Sequence, residues 1–316
     1  MRSTRVWLPN NIRRQTLGGL LATLLPPAFD YAAPRSISEA VDLLKRGGEG
    51  AKVIAGGQSL LPLLKLRLTL PTLLVDISRI PGLEYMREAE GSLRLGAMTR
   101  MADLEASSLL KRKYRIIHDA SKVIADPLVR NLGTVGGNIS HGDPANDMPA
   151  VTLALDAEFE ATGPAGTKKI RARDFFLDTY SVALDHEDIL TEIRFPQAAS
   201  RSGSAYLKVE QKVADFAAAG VGVFLRVDAK GECDRVGIGL TAVGPKAVKA
   251  TKAEDALLGQ KPTDREAVKS AAVLAAEAST PTSDIRGTAE YKRGLVKLLT
   301  ARAVKLAYGR LRGGSS

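Results

Sequence analysis

The residues best suited to chemistry in this chain are two glycine pairs set 80 residues apart. The first lies in Ala55-Gly56-Gly57-Gln58-Ser59-Leu60, the second in Gly133-Thr134-Val135-Gly136-Gly137-Asn138. Each places residues without a Cβ beside a hydroxyl or an amide. Successive backbone N–H groups in such a loop make a concave donor surface, and glycine lets an anion approach the main chain. Two loops of this kind in one domain suit two adjacent phosphates held from two sides. For either loop alone, a tight turn is the simpler reading. The common nucleotide motifs are missing: there is no G-x-x-x-x-G-K-[ST], and no strand–GxGxxG–helix unit followed by an acid. Gly57-Gln58-Ser59 lacks the second glycine of a nucleophile elbow. Gly220-Val221-Gly222 and Gly237-Ile238-Gly239 lie inside apolar runs and read as places where two backbones approach closely.

The elements that must position these loops alternate at first. Ser36-Ile37-Ser38-Glu39 has the pattern of a capping box ahead of a helix ending at Gly47-Gly48. Lys52-Val53-Ile54 is a strand feeding the first loop, and Leu73–Ile77 is another, so a small α/β unit is expected. From residue 92 the texture changes. Ser92–Ala97 alternates at period two, Thr99 is expected to cap a short helix through Glu105, and a longer helix is expected over 110–124. Asp126-Pro127-Leu128-Val129-Arg130-Asn131 introduces the second loop. A helix with Pro149 in its first turn runs to about Leu155. Strands near 157–161, 168–172 and 189–195 then suggest an antiparallel sheet with helices packed on it. Residues 197–204 are small and polar, of linker grade. Strands near 205–211, 217–227 and 234–243 follow, with a hairpin turn at Lys230-Gly231. Helices are expected near 252–258, 264–278 and 287–310. The chain is therefore divided into an extension (1–27), a first domain (28–200, subdomains about 28–80 and 81–200), a second α+β domain (201–310) and a disordered tail (311–316).

Composition narrows the chemistry. The 316 residues hold 45 Lys+Arg against 35 Asp+Glu, a net charge of +10 that favours anionic ligands or an acidic partner. The cations are scattered and aromatics are 5%, so nucleic acid is not the expected partner. Cys233 is the one cysteine. This chain alone can build neither a disulfide nor a cysteine-ligated cluster, and Cys233 reads as a small apolar strand residue in a reducing compartment. His118, His141 and His186 show no metal-ligand spacing, so no metal site is expected. Near the N-terminus, Arg13-Arg14 and the apolar stretch Leu17–Leu25 faintly resemble a twin-arginine export signal. No small-x-small cleavage site follows, which favours a start-site extension or an arm on a cytoplasmic protein.

Taken together, the motifs resemble one family closely. Residues 55–67 (A-G-G-Q-S-L-L-P-L-L-K-L-R), 96–99 (G-A-M-T) and 129–150 (V-R-N-L-G-T-V-G-G-N-I-S-H-G-D-P-A-N-D-M-P-A) look like the FAD-binding medium subunit of the molybdenum hydroxylases, the xanthine dehydrogenase family, and within it the aerobic carbon monoxide dehydrogenase type. The similarity covers roughly residues 28–305. It implies an α+β chain: a two-subdomain flavin domain of the vanillyl-alcohol-oxidase (PCMH) type, then a smaller C-terminal domain of three antiparallel strands with helices. It implies FAD as cofactor. Ala55, Gly56, Gly57, Gln58, Ser59 and Leu60 match one pyrophosphate loop. Gly133, Thr134, Val135, Gly136, Gly137 and Asn138 match the other. Asp147 matches an acid that contacts the cofactor, with a helix N-terminal acid as the alternative reading. Tyr206 matches a position against the flavin ring, with a core strand aromatic as the alternative. Lys208 and Leu190 are weaker carry-overs. Gln58 stands where the carbon monoxide dehydrogenase subunits commonly have histidine, Asn138 replaces an acid found in some, and Gln211-Lys212 stand where an arginine is usual.

The same resemblance implies that no catalytic acid, base or nucleophile belongs to this chain. Substrate would be oxidised at a molybdenum–pterin centre in a large subunit. Electrons would pass through [2Fe–2S] clusters of a small subunit to the flavin, and on to a quinone or other acceptor. A dimer of heterotrimers, carbon monoxide as substrate, and peripheral contact with membrane quinone are the matching expectations for assembly and setting. Two readings stay open beside it. One is a free-standing FAD-dependent oxidoreductase of the same fold, or the same subunit in an N-heterocycle or aldehyde dehydrogenase. The other is a non-enzymatic anion-binding scaffold.

Overall fold

The computed structural model describes residues 26–312. The readings made for residues 1–25 and 313–316 lie outside the described residues.

The first unit contains β1 (Asp30–Ala32), α1 (Ile37–Gly47), β2 (Ala51–Ile54), α2 (Leu60–Lys65) and β3 (Leu73–Asp76). Its strands form a parallel sheet in the order β1-β3-β2. α1 forms because Ser36 Oγ accepts from the N–H of Glu39 at 3.2 Å and because Ala40, Val41 and Leu44 repeat on one face against Ala51 and Val75. The capping box is incomplete: the Glu39 carboxylate accepts from the N–H of Arg35, not that of Ser36. The helix stops at Gly48, whose φ of 52° suits a residue without a Cβ.

The second unit runs through β4 (Met86–Ala89), β5 (Ser92–Gly96), α3 (Met101–Ala106), α4 (Ser108–Lys113), α5 (Arg115–Val123), α6 (Pro127–Leu132), α7 (Val135–Ser140), α8 (Asp147–Ala154), β6 (Glu158–Gly163), β7 (Gly166–Arg171), α9 (Ala172–Phe175), β8 (Phe176–Asp178), β9 (Ser181–Val182) and β10 (Ile189–Pro196). Five strands pair antiparallel in the order β4-β5-β10-β6-β7. Two expectations need correcting. Thr99 does not cap α3; Arg100 holds that position, and the Thr99 hydroxyl donates to Tyr85 O at 2.8 Å. The helix expected over 110–124 is two helices, because Tyr114 leaves the helical region (φ −127°, ψ 54°) to bury its ring and donate to Glu88 at 2.8 Å.

The third unit contains β11 (Ser202–Val209), β12 (Ala219–Val227), β13 (Cys233–Thr241), β14 (Val248–Lys249), α10 (Thr251–Asp255), α11 (Arg265–Ala278) and α12 (Ala289–Arg312). The sheet is antiparallel in the order β11-β12-β13-β14, four strands where three were expected. β14 has two residues, too few for an alternating signal. Ser202–Ser204, read as connector, are already strand. Their small size serves packing: a Cβ on Gly203 would lie 2.0 Å from Ala307 O of α12. α12 also absorbs residues 311–312 of the expected tail.

One face of this sheet is covered by α12, and the other by α5 and α8 of the second unit. That second contact depends on glycine. A Cβ on Gly237 would meet Ala154 O at 1.8 Å, and one on Gly239 would meet Ala150 O at 1.9 Å. The backbone of α8 therefore lies directly on β13, and the element that opens with Asp147 is fixed against the third unit. Cys233 is buried on β13, and burial pushes its thiol up to about 11.

Candidate flavin site

The two glycine loops, distant in sequence, touch. The first leaves β2 and turns through Gly57, whose φ of 72° is strained for any residue with a Cβ. Beside it, a Cβ on Gly56 would lie 2.0 Å from Leu132 O and 2.9 Å from Gly133 Cα. A Cβ on Gly133 would approach Gln58 Cγ at 3.8 Å, and one on Gly137 would approach Ala55 Cβ at 3.9 Å. Backbone thus runs against backbone, and the glycines are what allow it.

The donors of the two loops differ. In the first, Gln58 Nε2 closes the turn onto Gly56 O at 3.1 Å, and the N–H groups of Leu61 and Leu63 enter the helix on Gly57 O and Ser59 O. Among the described residues, no protein acceptor takes the N–H groups of Gly56, Gly57, Gln58 or Ser59. Ser59, ahead of α2, has no side-chain cap bond. These are free donors in a strand-to-helix turn, which is the chemistry of an anion cradle.

In the second loop most backbone donors are already committed, and among the described residues only the N–H of Thr134 has no protein acceptor. Gly133 N–H donates to Val129 O (2.7 Å), Val135 to Thr99 O (2.9 Å), Gly136 to Ala97 O (2.8 Å) and Asn138 to Thr134 O (3.0 Å). Gly137 N–H donates to Thr134 Oγ1 at 3.1 Å. Residues 96–99, the G-A-M-T motif, thus form the floor under this loop, and Gly136 sits against Ala97 where a Cβ would come within 2.6 Å. On the segment expected to close on the cofactor from the other side, Thr134 to Asn138, the groups that remain are the Thr134 N–H and the side chains of Thr134 and Asn138. Asn138 Oδ1 is buried with no partner among the described residues.

Asp147, Tyr206 and Lys208 form one buried cluster behind that loop. Tyr206 Oη donates to Asp147 Oδ1 at 2.5 Å, and Lys208 Nζ donates to Asp147 Oδ2 at 3.2 Å and to Val123 O at 2.8 Å. Glu210 lies 3.2 Å from the same ammonium. Burial raises the Asp147 carboxyl from an ordinary 3.8 to about 6, against the pull of Lys208 and the Tyr206 bond. Burial, then the Asp147 charge, hold the Tyr206 phenol well above its usual range. Asp147 is the first residue of α8, and its alternative reading as a helix N-terminal acid describes its place. Tyr206 is 4% exposed, so its ring is in the core; Gly220 makes room for its hydroxyl, which a Cβ there would meet at 2.3 Å. Leu190 on β10 is 5% exposed and packs in the same core.

Residues that sequence reasoning passed over hold the loops in place. Arg130 is buried; its Nε donates to Glu105 at 2.7 Å, and Nη1 donates to Ala125 O at 2.7 Å and Ile124 O at 3.1 Å. It pins the turn that launches α6. Asn146 Nδ2 donates to Asn138 O at 2.8 Å, and Asn146 O accepts from Thr241 at 2.5 Å, tying the second loop to α8 and β13. Arginine inside an otherwise apolar V-R-N-L run was the available signal for the first. His141, 5.0 Å from the Tyr180 ring, has its pKa lowered by burial and is a packing residue.

The donors of the first loop fit a diphosphate: free N–H groups, a free hydroxyl and a strained glycine at the turn. The fold and site together define a flavin-binding α+β chain. Residues 27–198 match the family described as "FAD binding domain in molybdopterin dehydrogenase", and residues 204–307 match "CO dehydrogenase flavoprotein C-terminal domain". The chain belongs to this family, the FAD-binding medium subunits of molybdenum hydroxylases. It is 42% identical to the carbon monoxide dehydrogenase medium chain of Hydrogenophaga pseudoflava, over 91% of this chain and 99% of that protein. It is 40% identical to that of Afipia carboxidovorans over the same shares. The solved H. pseudoflava enzyme superposes with a TM-score of 0.88 over 90% of this chain and 99% of that one, at 43% identity. Quinoline 2-oxidoreductase from Pseudomonas putida 86 superposes at 0.84 over 91% and 99%, at 32% identity.

Proposed function

We propose that this chain is the electron-transfer subunit of a cytoplasmic carbon monoxide-oxidising complex, in which it carries FAD between the [2Fe–2S] clusters of a small subunit and a quinone or other acceptor. A large molybdenum–pterin subunit would oxidise the substrate, and two heterotrimers would pair. The observation that carries the flavin site is the contact between the two glycine loops, with free donors on one side of it. Support for carbon monoxide comes from the names of the relatives at 40% identity and above. Relatives at 34% bear the names of 6-hydroxypseudooxynicotine and glyceraldehyde dehydrogenases, so the scaffold serves more than one substrate.

FAD supplies the ability to take electrons singly and release them in pairs. The residues of this chain bind and orient. The N–H groups of Gly56–Ser59 and the Ser59 hydroxyl hold the diphosphate, while Thr134 and Asn138 close the opposite side with side chains. Gly133, Val135, Gly136 and Gly137 set the shape of that wall. Asp147, Tyr206 and Lys208 act from behind, fixing the start of α8. Lys208 is paired with two carboxylates, so it brings little net positive charge to the site. Leu190 supports the wall from the core.

Native co-purification tests this reading. A large molybdenum-containing subunit and a small iron–sulfur subunit should accompany the chain, and the complex should reduce a dye with carbon monoxide. Recovery of the chain alone, yellow and active on its own substrate, would favour the free-standing flavoenzyme. Dye reduction with an N-heterocycle or aldehyde but not with carbon monoxide would reassign the substrate and leave the subunit role intact. In membrane terms, none of the described helices is long and apolar enough to cross a bilayer.

A further inference from the structure

We propose that the groove between α12 and the start of α5 is a docking site for an extended acidic segment of a partner protein. This inference is independent of the flavin reading. The groove has a volume of ≈ 450 Å³ and is lined by Arg115, Arg302, Lys305, Leu306, Gly309 and Arg310. The five residues from α12 fall at i, i+3, i+4, i+7 and i+8, which is one face of a helix. Four of the six lining residues are cationic and none is acidic.

The charges are not equivalent. Arg310 is spent: it forms an ion pair with Asp119 and donates to Ser204 O at 2.8 Å. Arg115, Arg302 and Lys305 are exposed, and among the described residues no carboxylate lies within ion-pair reach of them. The sequence just before Arg115 adds Lys111, Arg112 and Lys113, of which Lys113 pairs with Glu88. Uncompensated cations grouped in a concavity repel one another, and an anionic occupant relieves that repulsion.

The layout selects among anions. The uncompensated cations come from two helices, Arg302 and Lys305 from α12 and Arg115 from α5. Arg302 and Lys305 are three residues apart, about 4.5 Å along the helix, and an extended peptide places alternate side chains about 6.6 Å apart on one face, so successive carboxylates can meet them. Leu306, 37% exposed in the middle of the row, offers an apolar contact between the charges. The Cβ position of Gly309 meets nothing within 4 Å, so the floor stays open to a main chain.

The test uses fluorescein-labelled hexaglutamate and the purified complex, read by fluorescence anisotropy. Saturable binding is expected at low salt, weakening as ionic strength rises. Arg302→Glu combined with Lys305→Glu should lower affinity at least tenfold. The gentler Arg302→Gln with Lys305→Gln should lower it at least threefold. A control with the same charge change elsewhere, Lys230→Glu with Lys261→Glu, should change it less than twofold. Equal losses in groove and control variants would mean bulk attraction and would overturn the proposal. So would absence of peptide binding, including the case where phosphatidylserine vesicles bind through Arg302 and Lys305 and the peptide does not.

Discussion

Gly57 concentrates the flavin site into one backbone angle. Its φ of 72° costs an L-residue about 1–2 kcal/mol, and a Cβ there would lie 3.0 Å from Leu61 Cδ1, closer than ordinary van der Waals contact. Gly57→Val should therefore leave the purified complex with substoichiometric FAD at near-normal yield, measured by flavin absorbance per protein after gel filtration. Full FAD content in that variant would remove the first loop from the site. Asp147 gives a pH signature. Between 3.8 and about 6 the folded chain keeps a proton that the unfolded chain has released, so this group makes stability fall as pH rises through that window. The full effect is about 3 kcal/mol, at roughly 1.4 kcal/mol per unit. Thermal melts of the Asp147→Asn and parent chains, compared from pH 4 to pH 7, should differ by an amount that changes across the window and levels off above it. A constant offset would mean that Asp147 titrates normally. Tyr206→Phe removes the donor to a buried carboxylate and should cost about 1–3 kcal/mol by urea unfolding.

At the scale of elements, α8 is held by contacts that tolerate no side chain. An alanine at Gly239 would place a methyl 1.9 Å from Ala150 O, so helix and sheet must part. Gly239→Ala should lower Tm by several degrees, equivalent to about 2–3 kcal/mol. It should also weaken FAD retention, because Asn146 transmits the position of β13 to Asn138. Unchanged FAD content in a clearly destabilised Gly239→Ala protein would break that link. Much of this level was legible in the sequence. The strand glycines at 220, 222, 237 and 239 read as close backbone approach; Gly237 and Gly239 provide it, whereas Gly220 makes room for the Tyr206 hydroxyl and Gly222 for the Ile116 side chain. Strands β6, β7, β10, β12 and β13 fell near their expected places: β6 and β7 alternate, while β12 and β13, covered on both faces, read as continuous apolar runs. What failed was local. Tyr114 breaks a helix for the sake of a long-range bond to Glu88, and Thr99 serves Tyr85 and Val135 instead of the helix that follows it. Tertiary partners that chain-local patterns cannot reveal decided both.

For the whole molecule, the motif order along the chain was enough to identify the family, and the structure adds how the loops divide the work. The sequence treated both as rings of backbone donors. All donors of the second but the Thr134 N–H are in fact taken by Val129, Ala97, Thr99 and Thr134, a fact that depends on where residues 96–99 pass in space. The buried thiol offers a check of the assembled fold. With its pKa pushed up to about 11, Cys233 should react with a thiol reagent at neutral pH no faster than the protein unfolds, and at once in denaturant. Rapid labelling of the native protein would contradict the packing of β13.

The contact of Gly56 with Leu132 also has an entropic side. Neither half of the cradle can be completed by nearby sequence, since the chain must first close a loop of some 75 residues. The complete binding surface therefore requires both units, since residues 55–60 and 133–138 meet only when that loop is closed.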